Sequence, residues 1–285
     1  MTSLRAHALL DAGEERRLER FGDVVVDRPA PTAGEPKRDP AAWASADLVF
    51  RRYVGWTAVA DEGPRPWVVA DGDLRFELRP SESGQVGLFP EQAANRAWVA
   101  QQLLRAREAE GMERQPTLLN LFAYTGAVTL AAAAAGAAVT HVDGSRPSVA
   151  WARRNAELSG LADRPVRWIV DDAAAFVARE IRRGRRYDAV VLDPPSYGHA
   201  PGGRTWRLEE RLAELLDACA ALTGGDPLFA LASAHTPGFG PDRLADELAA
   251  AYRRRLGQVE RGELILRAES GARLRLGAWA RIIRR

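Results

Sequence analysis

The pattern of apolar and polar residues changes near residue 85, and it predicts two kinds of structure in one chain. Before that point, short alternating runs are separated by Pro, Gly and Asp, as in DVVVDRP, DLVFRRYVGWTAVA, PWVVADG and LRFELRPS. Alternation with a period of two between turn residues is typical of β-strands. We therefore expect a small β-rich region over residues 1–85 and a second domain over residues 86–285.

Helices and strands alternate in the second region. The segment PEQAANRAWVAQQLLRAREAEG predicts an amphipathic helix with Trp98, Val99, Leu103 and Leu104 on its apolar side. Apolar strand patterns follow at TLLNLFAY, VTHVD, VRWIVDD, YDAVVLDPP and PLFALASA, with helical patterns between them, the last of these being TWRLEERLAELLDACAALTGG. This alternation favours an α/β fold with a parallel sheet covered on both faces. The end, GELILRAESGARLRLGAWARII, predicts an antiparallel hairpin that turns at residues 269–271.

Cysteine and apolar content restrict the class of protein. Cys219 is the single cysteine, so a disulfide framework and a cysteine-based zinc site are excluded, and we expect no metal. The N-terminus has no long apolar core of the kind that signal peptides have. The alanine-rich run after Gly126 consists of small residues, which indicates a buried helix rather than a membrane span. We expect a cytoplasmic protein, either a monomer or a homodimer, with no membrane partner.

Arginine supplies nearly all of the positive charge, and its clusters leave two interpretations open. The formal net charge is only +2, and Lys37 is the single lysine. Arginines cluster at residues 51–52, 182–186, 253–255 and 284–285. These clusters either form a nucleic-acid surface or are solvated helix faces and loop ends. We expect Tyr53, Trp56 and Trp67 of the N-terminal region to pack within its small sheet.

The first strand–turn–helix of the second region is the main candidate for a cofactor site. The run LLNLFAYTG leads from a strand into an alanine-rich helix, and Gly126 stands where a side chain would block the N-terminus of that helix. A G-x-G-x-x-G fingerprint of dinucleotide binding is absent. An ordinary strand-to-helix turn is the alternative. The residues of this turn expected to contact a cofactor are Asn120, Phe122, Ala123, Tyr124, Thr125 and Gly126.

Acidic residues end the next two predicted strands. Asp143 lies near the spacing after the glycine turn at which a carboxylate accepts hydrogen bonds from ribose hydroxyls, and Ser145 is expected to assist it. Asp143 is alternatively a cap of the following helix. Asp171 and Asp172 end the third strand, where Asp172 is a candidate N-cap of the following helix.

In order and spacing, these motifs resemble class I S-adenosylmethionine-dependent methyltransferases, in particular the group around the 23S ribosomal RNA cytosine-C5 methyltransferase. The resemblance covers residues from about 85 to 285 and rests on GLFPEQAANR, NLFAYTG, HVDGS, RRNAELSGL, DDAAAFV and LDPPSYG. It implies a seven-stranded Rossmann-like sheet and S-adenosylmethionine (SAM) as cofactor. It also implies cofactor contacts from Phe89, from Gln92 and, at the adenine amino group, from Asp172. Asp172 either has this role, caps the following helix, or does both. The N-terminal region is more similar to members that lack the RNA-binding PUA domain.

Asp193-Pro194-Pro195-Ser196-Tyr197 is the candidate acceptor site. The segment resembles a turn of amino-methyltransferases in which the first side chain and a proline carbonyl accept hydrogen bonds from a target amine. The resemblance implies the same roles for the matching residues here. Two prolines fix the backbone there. We expect Asp193, Pro194 and Tyr197 to be catalytic, with Asp193 also near the cofactor and Tyr197 stacked on a nucleobase of RNA. Packing of Tyr197 against the cofactor or a loop is the alternative.

The cysteine that a cytosine-C5 reaction requires is missing. Family members with that chemistry carry it after the fifth strand, where this chain has ALASAHTPG, with Ser233 and His235. Cys219 lies among leucines of a predicted helix and is expected to be a buried hydrophobic residue. The sequence thus predicts a SAM-dependent RNA methyltransferase without a cysteine nucleophile. A small-molecule methyltransferase and a non-catalytic SAM-binding module remain the alternatives.

Overall fold

The computed structural model describes residues 6–58, 65–109, 114–199, 205–252 and 259–284. The chain divides into two compact units, one formed by residues 1–95 with 264–276 and the other by residues 96–263 with 277–285. The domain boundary between residues 85 and 86 stays a prediction.

The first unit is β-rich, as the sequence predicts. A five-stranded sheet has the order β1-β2-β3-β4-β5, and β6 and β7 form a separate hairpin. The strands are β1 (His7–Gly13), β2 (Arg16–Phe21), β3 (Val24–Pro29), β4 (Leu48–Arg51), β5 (Gly55–Ala58), β6 (Trp67–Asp71) and β7 (Leu74–Leu78). Two short 3₁₀ turns, Pro40–Ser45 and Pro90–Gln92, also belong to this unit.

A buried ion cluster lies on the inner face of this sheet. Glu19 is fully buried, with Oε2 at 2.7 Å from Nε of Arg28 and at 3.3 Å from Nε of Arg17. Burial alone would raise the pKa of Glu19, but the charges of Arg17 and Arg28 outweigh burial and hold it well below the usual range. Because charged residues occupy inward positions here, the usual alternation is absent from β1 and β2, and the sequence did not predict either strand.

One expectation about the aromatic residues of this unit is wrong. Trp56 and Trp67 pack as expected, and their indole N–H groups donate to the carbonyls of Ser81 at 2.7 Å and Phe21 at 3.1 Å. Tyr53, however, is 93% exposed. It lies in the turn between β4 and β5, beyond the paired residues of either strand, so the sheet offers it no packing surface.

The second unit holds the α/β fold that the sequence predicts. The strands of its seven-stranded sheet are β8 (Thr117–Leu121), β9 (Ala138–Asp143), β10 (Val166–Val170), β11 (Ala189–Leu192), β14 (Phe229–Ala234), β15 (Glu260–Arg267) and β16 (Arg273–Ile283). Residues 264–276, where β15 ends and β16 begins, belong to the first unit. The sheet has the order β10-β9-β8-β11-β14-β16-β15, in which the first five strands are parallel to one another and β16 is antiparallel to β14. A separate pair of strands is formed by β12 (Tyr197–His199) and β13 (Thr205–Arg207). The helices are α1 (Ala93–Ala109), α2 (Ala127–Ala134), α3 (Arg146–Leu158), α4 (Ala173–Arg182), α5 (Leu208–Leu222) and α6 (Pro241–Ala251).

Two local predictions in this region need correction. In α1, Trp98, Val99 and Leu103 are buried, but Leu104 is 43% exposed, because it lies just outside the narrow buried stripe of the helix. The helix predicted from Thr205 begins at Leu208 instead. The preceding three residues form β13, which pairs with β12 directly after the Asp-Pro-Pro turn.

The strand order brings the predicted site residues to one edge of the sheet. From central β8 the chain moves outward to β9 and β10, then returns to β11 on the other side of β8. Ligands of open α/β sheets bind at the carboxyl ends of strands near such a switch point. The arginines of residues 182–186 lie at the end of α4 and in the loop before β11. Arg284 follows β16 and donates its N–H to the carbonyl of Leu228, so both groups lie at the opposite edge of the sheet. Residues 253–255 and Arg285 lie outside the described residues.

In the part of the chain that the structure describes, no helix has the length and apolarity to cross a membrane.

Candidate functional site

The turn between β8 and α2 has an unusual backbone. Phe122, Tyr124 and Gly126 have positive φ angles of 54°, 48° and 87°. Left-handed backbone is uncommon for residues with a side chain and concentrates at functional sites. The N–H of Ala123 donates to the carbonyl of Val142 at 3.1 Å, which fastens the turn to the end of β9.

Gly126 is required by packing as well as by its φ angle. A Cβ atom at this position would lie 2.9 Å from Cβ of Ala152 on α3 and 3.2 Å from Cδ1 of Leu130 on α2. The side-chain amide of Asn155, also on α3 and fully buried, donates to the carbonyl of Thr125 at 3.0 Å. Sequence reasoning missed Asn155, although a polar residue on the apolar face of a helix was a usable signal.

Asp143 ties the glycine turn to the next strand end. Its Oδ2 accepts from the N–H of Tyr124 and its Oδ1 from the N–H of Ser145, both at 2.8 Å. Burial raises the pKa of Asp143, while these two hydrogen bonds lower it, and the net shift is upward. Each carboxylate oxygen has a second lone pair for a further donor. The carboxylate is therefore oriented by the backbone and keeps capacity to bind hydroxyl groups.

Ser145 and Asp172 begin the two helices that follow β9 and β10. Oγ of Ser145 accepts from the N–H of Ser148 at 3.2 Å. Oδ1 of Asp172 accepts from the N–H of Ala175 at 2.8 Å. The capping interpretation of Asp172 is confirmed, whereas the cap of α3 is Ser145 rather than Asp143.

The side chain of Asn120 points into the sheet interior. It is 3% exposed, and its amide donates to Oγ1 of Thr129 at 2.9 Å. Nδ1 of His141 lies 2.9 Å from the same hydroxyl oxygen. Through the hydroxyl of Thr129, the amide of Asn120 therefore links β8 with α2 and β9, the elements on either side of the turn.

Asp193 lies at the carboxyl end of β11, in a polar cluster with two residues at the end of β14. The hydroxyl of Ser233 donates to its Oδ1 at 2.6 Å, and Nε2 of His235 is 3.1 Å from the same oxygen. Ser233 is 1% exposed, whereas the side chains of Asp193 and His235 are 27% and 29% exposed. The sequence analysis identified Ser233 and His235 but did not predict that they contact Asp193.

The rest of the Asp-Pro-Pro segment is fixed by α5 and β13. The indole N–H of Trp206 donates to the carbonyl of Pro195 at 2.7 Å, and its ring packs against Phe122 with centroids 5.2 Å apart. Pro194 is buried, and Tyr197 is 53% exposed. Trp206 thus joins the candidate acceptor segment to the candidate cofactor turn, a contact that the sequence did not predict.

Hydrogen bonds between strand ends bring these groups together. The N–H of Asp171 donates to the carbonyl of Asp143 at 3.0 Å, and the N–H of Asp193 donates to the carbonyl of Leu121 at 3.4 Å.

Phe89 and Gln92 belong to the first unit, where Oε1 of Gln92 accepts from the amide of Asn95 at 2.8 Å. Among the described residues no group of three His, Cys, Asp or Glu side chains is arranged to hold a metal ion.

Comparison with known proteins decides the family. Residues 41–265 match the model of a family described as S-adenosylmethionine-dependent methyltransferase. The chain belongs to this family. The methyltransferase uses SAM as its cofactor, and the fold class predicted from its motifs is confirmed.

Solved structures with the same fold include a SAM-dependent methyltransferase from Agrobacterium tumefaciens. That protein is 32% identical, with a TM-score of 0.90 over 98% of this methyltransferase and 90% of that chain. The structure of SMU.776, solved in complex with SAH, has a TM-score of 0.78 over 99% of this methyltransferase and 76% of that chain. At 16% identity, the second likeness concerns the fold alone.

Curated relatives act on ribosomal RNA according to their names. Ribosomal RNA large subunit methyltransferase K/L of Magnetococcus marinus is 32% identical over 67% of this chain and 24% of its own length. Ribosomal RNA large subunit methyltransferase I of Shewanella denitrificans is 27% identical over 63% of this chain and 47% of its own length. The methyltransferase therefore spans less than half the length of these relatives.

Proposed function

We propose that this methyltransferase transfers a methyl group from SAM to a nucleobase in RNA and that it uses no cysteine nucleophile. The observation that carries the proposal is the position of Asp193, which lies beside the central strand β8 at the edge where the glycine turn also lies. SAM supplies an electrophilic methyl group. The protein must then hold the acceptor in line and take up a proton.

The donor side consists of the turn and the two acidic strand ends. We assign the carboxylate of Asp143, with Ser145, to the ribose hydroxyls, because two backbone N–H groups already fix its orientation. At Gly126 the close approach of α3 leaves no room for a side chain, so the glycine is needed for the turn of residues 122–126 to keep this conformation. Asp172 is assigned to the adenine amino group with its second oxygen, since its first oxygen caps α4.

The acceptor side consists of Asp193, the carbonyl of Pro194 and Tyr197. The carboxylate and the carbonyl accept hydrogen bonds from the amine to be methylated, and the exposed ring of Tyr197 stacks on the base. The hydrogen bond from Ser233 holds Oδ1 of Asp193 in place and so orients the carboxylate toward the acceptor. As the new bond to the methyl group forms, the amine loses a proton, and the adjacent imidazole of His235 is suited to receive it.

A cysteine-dependent attack at C5 of cytosine is excluded from the proposal. Cys219 is fully buried on α5, and burial raises the pKa of its thiol to about 12. A thiol that is protonated at neutral pH and closed to solvent is a poor nucleophile. The end of β14 carries Ser233 and His235 in place of a cysteine.

The RNA substrate is proposed from the names of the curated relatives and from the exposed aromatic residue after the Asp-Pro-Pro turn. The test is mass spectrometry of all modified nucleosides in RNA from a strain that lacks the gene, complemented with wild type or with Asp193→Asn. We expect one methylated nucleoside to disappear and to return with wild type alone. A nucleoside profile identical to that of the parent strain would overturn the RNA assignment.

A further inference from the structure

The turn that joins β4 to β5 carries an exposed basic and aromatic group, Arg51, Arg52, Tyr53 and Val54, which we name the hairpin tip. We propose that the hairpin tip binds a single-stranded segment of the RNA substrate, with Tyr53 stacked on a base and the two arginines on phosphates. The inference rests on the proposed function, because it concerns the same substrate.

The hairpin tip is open to solvent, and the side chains of both its arginines are exposed. Tyr53 is 93% exposed and Val54 is 68% exposed, the two highest values among the large hydrophobic residues described. The guanidinium carbon of Arg52 lies 5.2 Å from the centroid of the Tyr53 ring. Within the described residues no carboxylate forms an ion pair with Arg51 or Arg52. The cations of the tip are therefore available to an anionic partner.

The backbone of Tyr53 shows that folding alone does not favour an aromatic residue here. Its φ angle is 71°, in the left-handed region that glycine and asparagine occupy readily. A residue with a bulky side chain pays about 1–2 kcal/mol in that conformation. The ring also gains little burial, and the contact with Arg52 is within the tip itself. Strain of this kind, without a packing reason, points to a binding role.

The base of the hairpin is held firmly, so the tip is presented in a fixed position. The rings of Phe50 and Trp56 pack edge to face with centroids 5.3 Å apart. The indole of Trp56 donates to Ser81, and Nη2 of Arg16 donates to the carbonyl of Phe50 at 2.8 Å. A preorganised anchor loses less conformational entropy when it binds.

Nucleic acid fits this chemistry better than a protein or a membrane surface does. Every base has a face for stacking on an aromatic ring, and guanidinium groups bind phosphate oxygens in pairs. The tip has two cations and no acid among its four residues. Binding to a membrane surface requires a larger buried apolar area than the side chains of one tyrosine and one valine provide.

The first experiment measures the affinity for a fluorescent single-stranded RNA oligonucleotide of mixed sequence at increasing salt. Removing two phosphate contacts with Arg51→Gln/Arg52→Gln should reduce the slope of log affinity against log salt by about 1.4. The matched control is Arg182→Gln/Arg185→Gln, which removes the same charge from the opposite sheet edge of the second unit and should leave the slope unchanged.

The second experiment separates binding from folding at Tyr53. Tyr53→Gly relieves the left-handed strain, so its Tm should equal or exceed that of wild type, while RNA affinity should fall roughly five- to 150-fold. Tyr53→Trp should retain affinity. The affinity for SAM should be the same in all variants.

The outcomes distinguish the two proposals. If wild type binds the RNA and the Tyr53→Gly and double-arginine variants bind it equally well, the hairpin tip inference is overturned and the proposed function stands. If the variants lose affinity for anionic lipid vesicles but not for RNA, the inference is overturned in favour of a membrane surface. If wild type itself does not bind RNA at any salt concentration, both proposals fail.

Discussion

The hydroxyl of Ser233 donates a hydrogen bond to Oδ1 of Asp193 across 2.6 Å. Ser233 lies in β14, Asp193 directly follows the neighbouring parallel strand β11, and the two residues are 40 positions apart in the chain. Because Ser233 is buried, the bond fixes the rotamer of a carboxylate that is itself partly open to solvent. An acceptor group held in this way needs little reorganisation when a substrate amine arrives.

Ser233→Ala should therefore impair methyl transfer without affecting cofactor binding. A hydrogen bond to a charged group contributes about 1.5–3 kcal/mol, so we expect kcat to fall roughly ten- to 150-fold while the Kd for SAM is unchanged. Thr223→Ala, which removes a buried hydroxyl at the opposite sheet edge, serves as the control. Full activity in the Ser233 variant would show that this bond does not position Asp193.

Gly126→Ala should lower both stability and SAM affinity. The new Cβ atom would lie 2.9 Å from Ala152 at a φ of 87°, so α3 must move away from the turn. Gly224→Ala is the matched control, because its φ is 65° and nothing lies within 4 Å of the added atom. We expect the control to lose about 1 kcal/mol of unfolding free energy from strain alone.

Thermal unfolding and calorimetric titration with SAM compare these two glycine variants. Gly126→Ala should lose clearly more stability than Gly224→Ala, and it alone should bind SAM at least ten-fold more weakly. Equal losses of stability and unchanged SAM affinity in both variants would contradict the proposed cofactor role of the turn.

Asp143→Asn should weaken SAM binding by an order of magnitude or more. The carboxylate accepts from the N–H groups of Tyr124 and Ser145 with different oxygens. An amide has one acceptor oxygen, so its NH₂ group would face one of those donors. Calorimetry on Asp143→Asn and on Asp163→Asn, a change of the same charge in an exposed loop, tests this. Equal affinity in both variants would rule out the ribose assignment.

His141 should make the second unit sensitive to acid. Burial lowers the pKa of its imidazole to about 3, whereas the unfolded value is about 6.5. Between these two values the unfolded chain binds a proton that the folded protein excludes, so stability is lost as the pH falls below about 6.5. Urea unfolding should show wild type losing about 2 kcal/mol more than His141→Gln between pH 7 and pH 5. Parallel losses in the two proteins would show that His141 titrates normally in the fold.

The sheet of the second unit was predictable because each of its parallel strands is a short apolar run between helices. Strand β2 was not, because Arg17 and Glu19 occupy inward positions and interrupt the alternation. The carboxylate of Glu19 pairs with both Arg17 and Arg28 of β3, and a pattern of single residues does not reveal such pairing. The exposure of Tyr53 was missed for the opposite reason, since an aromatic residue usually indicates a core.

The strand-end positions of the site were predictable for a similar reason. Carboxyl ends of parallel strands share one edge, so Asp143, Asp172 and Asp193 had to lie near the glycine turn. The partners of Asp193 and the contact of Trp206 with Phe122 depend on packing between segments far apart in the chain. Side-chain geometry across β11 and β14 decides those contacts, and sequence spacing carries no information about it.

The most direct test of the account is transfer of the labelled methyl group from [methyl-³H]SAM to RNA purified from a strain that lacks the gene. We predict that wild type labels this RNA, that it does not label RNA from the parent strain, and that Asp193→Asn binds SAM normally yet transfers no label. Equal labelling by Asp193→Asn, or no labelling of RNA by a wild type that binds SAM, would contradict the account.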